Sequence, residues 1–316
     1  MIRCFYIKEN ELLWEKNPAV LDIAGPGKTV WVDLQEPTPE EQKLVEEKYG
    51  IEFFTPQEAA EIESSSRFFE DYTGFEANCA FVVKEVYSYT TRQVSFILKE
   101  DILFTLRHSD LKSFAETVRK LKTFTATNSK ALQIWLLLLE TQIDLDADFI
   151  EFLTRSTNKV SRKLVKERSI EEKILIQITE LQENTILIRG SIVDKQRLVS
   201  SLLKSFLVDE PEKDRLRIII KDINSLLQHT QFSFERLEYL QNTFMGLVNI
   251  EQNQVIKIFT VVTVIFMPPT LIASIYGMNF NFMPEMQWKI GYPFALILMV
   301  ISSLTFLWYF KRKKWL

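Results

Sequence analysis

Two long apolar runs lie near the C-terminal end of the chain. Residues 258–276 and 290–310 contain no charged side chain, over 19 and 21 positions respectively. A helix needs about 20 apolar residues to cross the hydrocarbon core of a bilayer. The pattern therefore predicts two membrane spans, at residues 258–276 and 290–310, joined by a loop at residues 277–289.

Residues 1–110 mix the patterns of strands and helices. Segments rich in β-branched and aromatic residues predict strands, and they lie at residues 29–34, 75–89 and 93–106, the last with a turn at 99–101. A helix is predicted at residues 37–49, because Thr38 supplies a cap and Pro39 fits the first turn. The combination indicates a small cytoplasmic α/β domain.

The chain from residue 111 to residue 257 follows a helical pattern. Apolar residues three and four apart predict a helical region at residues 111–210. Pro211 fits a first helical turn, and no other proline occurs before Pro268. We therefore expect a stalk helix at residues 211–257 that continues into the first span. The alternative is two helices broken near Gly246. The predicted fold class is an α+β cytoplasmic domain with long helices, plus a two-span α-helical membrane domain.

The charges that flank the two runs predict their orientation. Residues 311–316 form a basic tail that contains Lys311, Arg312, Lys313 and Lys314. The loop between the runs carries one cation, Lys289, and one anion, Glu285. Because basic flanks stay in the cytoplasm, both termini are predicted to be cytoplasmic and the loop to face outward. The expected location is the inner or plasma membrane, as a multi-pass protein.

The distribution of charge and of metal-binding residues excludes several functions. Residues 257–316 carry six cations and one anion, so with a net charge of −4 overall the other residues hold −9. Such an acidic soluble part is not typical of a nucleic-acid-binding protein, although it is common in soluble proteins of many kinds. Two cysteines and two histidines, far apart, make a tetrahedral zinc site improbable. No combination of nucleophile, base and orienting residue indicates an enzyme, and no cofactor is expected.

A stripe of polar residues follows one face of the first span. Steps of three and four connect its members, which are Asn253, Ile256, Thr260, Thr263, Met267, Thr270 and Ser274. Small polar residues on one face of a membrane helix either pack against another helix or line a water-filled path. The path is favoured because the stripe leads to Asn279. Since two spans cannot enclose a pore, a pore requires a ring of copies.

Several short motifs lie in about the last 65 residues, namely Phe266-Met267-Pro268 ahead of Thr270, residues 275–280 with Gly277-Met278-Asn279, residues 282–285, Trp288, Gly291-Tyr292-Pro293 and residues 313–316. Together they resemble the CorA family of divalent-cation channels. The resemblance implies a homopentameric funnel that takes up Mg²⁺ passively and also admits Co²⁺, with Ni²⁺ as a further candidate. A zinc-transporting branch of the superfamily shares Gly-Met-Asn and stays open as an alternative, but Met283-Pro284-Glu285 favours the magnesium branch. A non-conducting two-span sensor is the other alternative.

The resemblance also assigns roles to residues of the loop. Gly277, Met278 and Asn279 would form the selectivity filter, because a ring of amide oxygens can bind the water shell that Mg²⁺ releases reluctantly. Gly277 suits a helix end that needs a left-handed residue, and Met278 is more suited to packing than to ligation. Glu285 would either attract cations or pair with Lys289 at helical spacing.

Further roles concern the pore and its regulation. Asn253 and Thr270 match polar pore positions, whereas Ile256 and Met267 match an apolar constriction that gates by dewetting. Members of the family carry paired regulatory carboxylates, but this chain has Glu58-Ala59 where an adjacent Glu-Asp pair is expected. The remaining candidates for a weak regulatory Mg²⁺ site are Glu58, Glu61, Glu63 and Asp222. An ordinary solvated acidic face is the alternative for these four residues.

Overall fold

The structure is a computed structural model. It describes residues 1–9, 11–16, 28–55, 68–85, 88–121, 130–168, 170–279 and 283–313, and for Met286 the backbone alone. The chain divides into two compact units, Met1–Leu240 and Gln241–Leu316.

The first unit contains one mixed sheet. Among the described residues its strands are β1 (Ile2–Lys8), β2 (Glu11–Lys16), β3 (Lys28–Gln35), β4 (Phe68–Glu70), β5 (Gly74–Lys84), β6 (Tyr89–Lys99) and β7 (Ile102–Arg107). They are arranged in the order β2-β1-β3-β7-β6-β5-β4. The pair β3 and β7 is parallel, and the other neighbouring pairs are antiparallel.

The sheet corrects two details of the strand prediction and confirms a third. The strand predicted at residues 75–89 ends at Lys84, and Tyr89 begins the next strand. The segment at residues 93–106 is two strands that meet at Glu100 and Asp101, as the predicted turn required. Strands β1, β2 and β4 were not predicted, although β1 pairs with both β2 and β3, and β4 pairs with β5.

Helices cover both faces of the sheet. Helix α1 (Pro39–Tyr49) begins with a capping box, in which the Thr38 side chain and Glu41 exchange hydrogen bonds with each other's backbone. It ends at Gly50, which adopts a left-handed φ of 58°. Helices α2 (Lys112–Leu121), α3 (Ala131–Lys166) and α4 (Glu172–Lys204) follow in the region that the sequence predicts to be helical.

The core consists of two layers because successive strand residues point to opposite faces. On the side of α1, Val45 packs with Val32, Phe104 and other apolar residues of the sheet. On the other side Trp31 stacks on Phe5 with ring centroids 4.4 Å apart. Both Cys4 and Cys79 are buried, and no disulfide joins them. Burial raises the pKa of the Cys4 thiol to about 11, so this side chain packs in the core as a neutral thiol.

The second unit consists of the end of a long helix and a second apolar helix. Helix α5 (Glu210–Tyr276) has 67 residues and passes through Gly246 without interruption, so the alternative of two helices is wrong. Helix α6 (Gly291–Arg312) has 22 residues. By length and composition both helices can cross a membrane. A soluble α/β part followed by two apolar C-terminal helices is the fold class that the sequence predicts at this level.

Candidate ion pathway

The predicted filter residues lie immediately after α5. The Gly277 N–H donates to the carbonyl oxygens of Ala273 and Ser274, at 3.0 and 3.2 Å, and the Met278 N–H donates to that of Ile275 at 3.2 Å. The helix therefore tightens in its last turn, and Gly277, Met278 and Asn279 follow it as exposed residues.

Gly277 does not adopt the left-handed conformation that we expected from its place at a helix end. Among the described glycines the positive φ belongs to Gly50. At Gly277 a Cβ atom would instead lie 3.2 Å from the carbonyl oxygen of Ala273. Glycine suits this position because the chain passes close to its own last turn, which keeps the backbone of the predicted filter residues near the end of the helix.

The loop after the filter is held by a second glycine. Residues Pro284–Gln287 form a 3₁₀ helix, and the Glu285 carbonyl oxygen accepts a hydrogen bond from the Trp288 N–H at 3.3 Å. A Cβ atom at Gly291 would lie 2.2 Å from that same oxygen. Any larger residue at the start of α6 would therefore displace the backbone of Glu285.

The position of Glu285 argues against its pairing with Lys289. The 3₁₀ helix ends at Gln287, so the two residues are not at α-helical spacing. Among the ion pairs of the described residues, none joins Glu285 to Lys289. Glu285 is half-buried and Lys289 is exposed. The attraction of cations by Glu285 stays a prediction.

All members of the polar stripe are exposed along α5, namely Asn253, Ile256, Thr260, Thr263, Met267, Thr270 and Ser274. The three threonine hydroxyls donate to carbonyl oxygens one turn earlier, from Thr260 to Ile256 at 2.8 Å, from Thr263 to Phe259 at 2.9 Å and from Thr270 to Phe266 at 2.8 Å. The hydroxyl hydrogens of the three threonines therefore form hydrogen bonds within the helix. Each oxygen presents its remaining lone pairs to whatever faces the stripe.

Helix α6 contacts the other face of α5. At 100° per residue, Val261 and Ile265 lie roughly opposite the stripe. Val261 is only 5% exposed, and the Ile265 carbonyl oxygen accepts a hydrogen bond from the Ser303 hydroxyl at 3.4 Å. Ala295 is buried on α6, and small residues of this kind allow membrane helices to approach closely. The stripe is therefore not used for packing against the second helix of the same chain.

The basic residues lie at the C-terminal end of α6. Lys311 and Arg312 occupy its last turn, and Lys313 follows as the cap residue. Cations are favourable there because they complement the negative end of the helix dipole. The Arg312 guanidinium lies 5.4 Å from the centre of the Trp308 ring. Lys314 lies outside the described residues.

The structure describes one of the four predicted regulatory residues. Asp222 is exposed on α5. Glu58, Glu61 and Glu63 fall in residues 56–67, outside the described ranges. Within those ranges no group of three or more His, Cys, Asp or Glu side chains could hold a metal ion.

Two kinds of residue were missed in the sequence. The first is a pair of buried ionic clusters in the first unit: Asp33 binds Arg3 and Arg107, and Lys195 lies 2.9 Å from Asp146. Their partners are distant in sequence, so no local pattern indicates them. The second is Ser303, which the sequence does signal, because a pair of serines interrupts an otherwise apolar run.

Comparisons with known proteins agree on one family. Residues 26–312 match the family described as CorA-like Mg²⁺ transporter protein. The magnesium transport protein CorA of Wolinella succinogenes is 36% identical over 322 residues, and the match covers 100% of each chain. The magnesium transport protein CorA of Escherichia coli (strain K12) is 35% identical over 323 residues, with 100% of each chain covered.

A solved structure shares the fold over the same length. The complete structure of the CorA magnesium transporter from Methanocaldococcus jannaschii matches with a TM-score of 0.84 and 19% sequence identity. The match covers 100% of this chain and 99% of that one. At this identity the likeness is one of fold.

Proposed function

Because this chain belongs to the CorA-like Mg²⁺ transporter family, we propose that it is a membrane channel for the passive uptake of Mg²⁺. The observation that supports a channel most is the free face of α5. Its polar stripe leads to Asn279 and lies opposite the face that α6 contacts.

The chemistry of this face suits a hydrated Mg²⁺ ion. Mg²⁺ keeps its water shell, so the pathway has to offer acceptors to the hydrogens of that water. Asn279 would provide amide oxygens at the entrance, next to Gly277 and Met278. The threonine oxygens at 260, 263 and 270 can act in the same way, because their own hydrogens are already bonded within the helix.

Co²⁺, and Ni²⁺ after it, would pass by the same route. Neutral amide and hydroxyl oxygens that contact only the water shell do not select for the softness of the ion. Uptake needs no nucleotide, since a potential of 100 mV contributes about 4.6 kcal/mol for a divalent ion at ~2.3 kcal/mol per charge. The zinc-transporting alternative is not favoured, because relatives at 36% identity are magnesium transport proteins.

Conduction requires several copies, and we propose a homopentamer. Each copy would direct its stripe toward a common axis, so that every pore residue becomes a ring. Asn253 would form a polar ring at the inner end of the path, and Ile256 and Met267 the apolar constriction. Native mass spectrometry of the detergent-solubilised chain should give the mass of five copies. A stable dimer or monomer would contradict the ring.

The proposed orientation places both termini in the cytoplasm. Lys311, Arg312, Lys313 and Lys314 would then form a basic ring at the inner membrane surface, while Glu285 would raise the concentration of cations at the outer mouth. Accessibility of single cysteines introduced at Lys313 and Gln287 to a membrane-impermeant reagent tests this in whole cells. Labelling at Gln287 alone is expected, and labelling at Lys313 alone would reverse the assignment.

We further propose that cytoplasmic Mg²⁺ inhibits conduction weakly, through dispersed acids among Glu58, Glu61, Glu63 and Asp222. Metal affinity falls with each carboxylate lost from a site, and this chain lacks the adjacent Glu-Asp pair. Titration of inner-side Mg²⁺ on reconstituted channels, beside a relative that has the pair, is the test. Half-inhibition should need more Mg²⁺ here, and Asp222→Asn should raise it further.

Flux into liposomes tests the function itself. Purified chain is reconstituted into vesicles, a negative inside potential is set, and the entry of Mg²⁺, Co²⁺ and Zn²⁺ is recorded with ion-sensitive dyes. Mg²⁺ and Co²⁺ should enter at rates that increase with the potential. Entry of Zn²⁺ without Mg²⁺ would support the zinc alternative, and no entry of any ion would support a non-conducting sensor.

A further inference from the structure

The carbonyl oxygen of Ile265 loses its ordinary partner within α5. In an α-helix this oxygen accepts a hydrogen bond from the amide four residues later, which here belongs to Pro269. Proline has no amide hydrogen. The Ser303 hydroxyl of α6 lies 3.4 Å from the Ile265 oxygen and donates to it.

The neighbouring serine shows that this contact is specific. Ser302 donates to the Met299 carbonyl of its own helix at 2.7 Å, the usual arrangement for serine in an apolar helix. Ser303 is also half-buried, but its hydroxyl reaches across to α5. Of two adjacent serines, one therefore satisfies its own helix and the other satisfies the oxygen that the proline leaves without a donor.

Inside a membrane, a hydrogen-bond donor to the Ile265 carbonyl oxygen is especially stabilising. In the hydrocarbon core no water is available, so prolines are tolerated in membrane helices where a neighbouring side chain binds the freed carbonyl. Ile265 lies on the face of α5 that contacts α6, whereas Met267 belongs to the stripe on the opposite face of the same turn. A fixed Ile265 carbonyl therefore also fixes the turn that carries Met267, one of the two residues of the proposed constriction.

We propose that Ser303 is a positioning residue: its hydroxyl replaces the missing amide of residue 269 and ties the proline turn of α5 to α6. Pro268 frees the Val264 carbonyl oxygen in the same way, so Ser303 serves one of the two freed oxygens. At that oxygen the turn is a fixed joint between the two spans and not a free hinge. The link to the constriction rests on the proposed function, whereas the contact between the helices does not.

A double-mutant cycle tests the contact without any measurement of transport. Ser303→Ala should raise the unfolding equilibrium constant in mixed micelles roughly three- to twenty-fold, the range of measured hydrogen bonds between membrane helices. Pro269→Ala restores an amide donor to the Ile265 carbonyl. In that background Ser303→Ala should have little effect, because the oxygen no longer needs the serine.

Two further variants separate the hydrogen bond from packing. Ser302→Ala removes the same atoms one position away and should leave the equilibrium constant nearly unchanged. Ser303→Thr retains the hydroxyl and should restore most of the stability. Additive effects of Ser303→Ala and Pro269→Ala on the unfolding equilibrium constant would show that the Ser303 hydroxyl does not replace the missing amide. A loss of stability in Ser302→Ala as large as that in Ser303→Ala would show the same.

The positioning role is tested on reconstituted channels. Ser303→Ala should shift the inner Mg²⁺ concentration for half-inhibition at least about threefold relative to Ser302→Ala, which corresponds to the lower end of the hydrogen-bond range. Ser303→Thr should reverse the shift. An unchanged value beside a non-additive cycle would overturn the positioning role. Absence of conduction in the unmodified chain would count against the proposed function and leave the cycle as the test of the contact.

Discussion

The two units of the chain treat charged and apolar side chains in opposite ways. In Met1–Leu240 the side chains of Asp33, Arg107, Asp146 and Lys195 are completely buried, each with a partner of opposite charge. In Gln241–Leu316 large apolar side chains are exposed, such as Phe259 at 69% and Ile290 at 68%, and the two apolar runs contain no charge. In the first unit, charges that are removed from water are paired with opposite charges. The exposed apolar side chains of the second unit are favourable if lipid, and not water, surrounds that unit.

The largest expected effect is the loss of a buried charge in the first unit. Asp33 accepts hydrogen bonds from Arg107 at 3.1 and 3.2 Å and from Thr105 at 2.8 Å, and it also binds Arg3. Asp33→Ala would leave the buried Arg107 with the exposed Asp110, 3.5 Å away, as its remaining carboxylate partner among the described residues. We expect it to lower the free energy of unfolding by about 3–5 kcal/mol, because a buried charge loses its buried partner. Denaturant unfolding followed by tryptophan fluorescence measures this.

A surface pair of the same unit provides the control. Glu85 and Arg92 lie 3.0 Å apart and are about half exposed. Glu85→Ala should cost less than about 1 kcal/mol. Equal decreases in the free energy of unfolding for Asp33→Ala and Glu85→Ala would show that the buried cluster of the first unit stabilises the fold no more than a surface ion pair does.

The next effect compares two isoleucines of nearly equal exposure. Ile186 on α4 is 58% exposed and Ile301 at the middle of α6 is 55% exposed. Ile301→Asp should cost about 2.5–3.5 kcal/mol for insertion, because the carboxylate would be placed in hydrocarbon. Ile186→Asp should change stability by less than about 0.5 kcal/mol, as surface substitutions in water do. The amount of membrane-inserted protein is the measurement, and equal amounts would contradict the difference in solvent.

A smaller effect distinguishes two faces of α5. Met267 lies on the stripe and Val262 lies off it, and they are 60% and 47% exposed. Met267→Ser should raise Mg²⁺ flux severalfold at inhibitory inner Mg²⁺, because a polar neck is more easily wetted. Val262→Ser should leave this flux near the wild-type value. If flux rises equally in both variants, Met267 does not form part of an apolar constriction.

The smallest effect concerns the loop. Glu285→Gln should lower Mg²⁺ uptake at low ionic strength by less than about twofold, and the loss should disappear in high salt, where the attraction is screened. Gln287→Ala, in the same 3₁₀ helix, should show no such dependence on salt. A loss that persists in high salt would indicate that Glu285 has a structural role.

The parts of the fold that the sequence predicts are those with a local signal. The capped helix α1 and the apolar runs depend on neighbouring residues, and the structure has them where the pattern indicates. The end of β5 at Lys84 and the start of β6 at Tyr89 were missed because the sequence between them contains a β-branched and an aromatic residue and no glycine or proline. Strand β1 owes its place to pairing with β3, whose partner residues are about 30 positions away.

In the candidate pathway, too, the features with a local sequence signal could be predicted, and a contact between distant residues could not. The stripe and the Gly-Met-Asn motif could be predicted because they repeat along one helix and stand at its end. The contact from Ser303 to Ile265 joins residues 38 positions apart, so it needed the packing of the two helices. The left-handed conformation predicted for Gly277 was wrong, since a helix can end without a left-handed residue when its last turn tightens.

Mg²⁺ uptake by Asn279→Ala tests the central claim most directly. The variant and the unmodified chain are reconstituted at equal abundance under the same potential, with Gln287→Ala as a control that removes an exposed amide from the same loop. The account predicts that Asn279→Ala loses most Mg²⁺ uptake while the oligomer keeps its mass, and that Gln287→Ala retains uptake. Unchanged uptake in Asn279→Ala would contradict the assignment of the entrance filter.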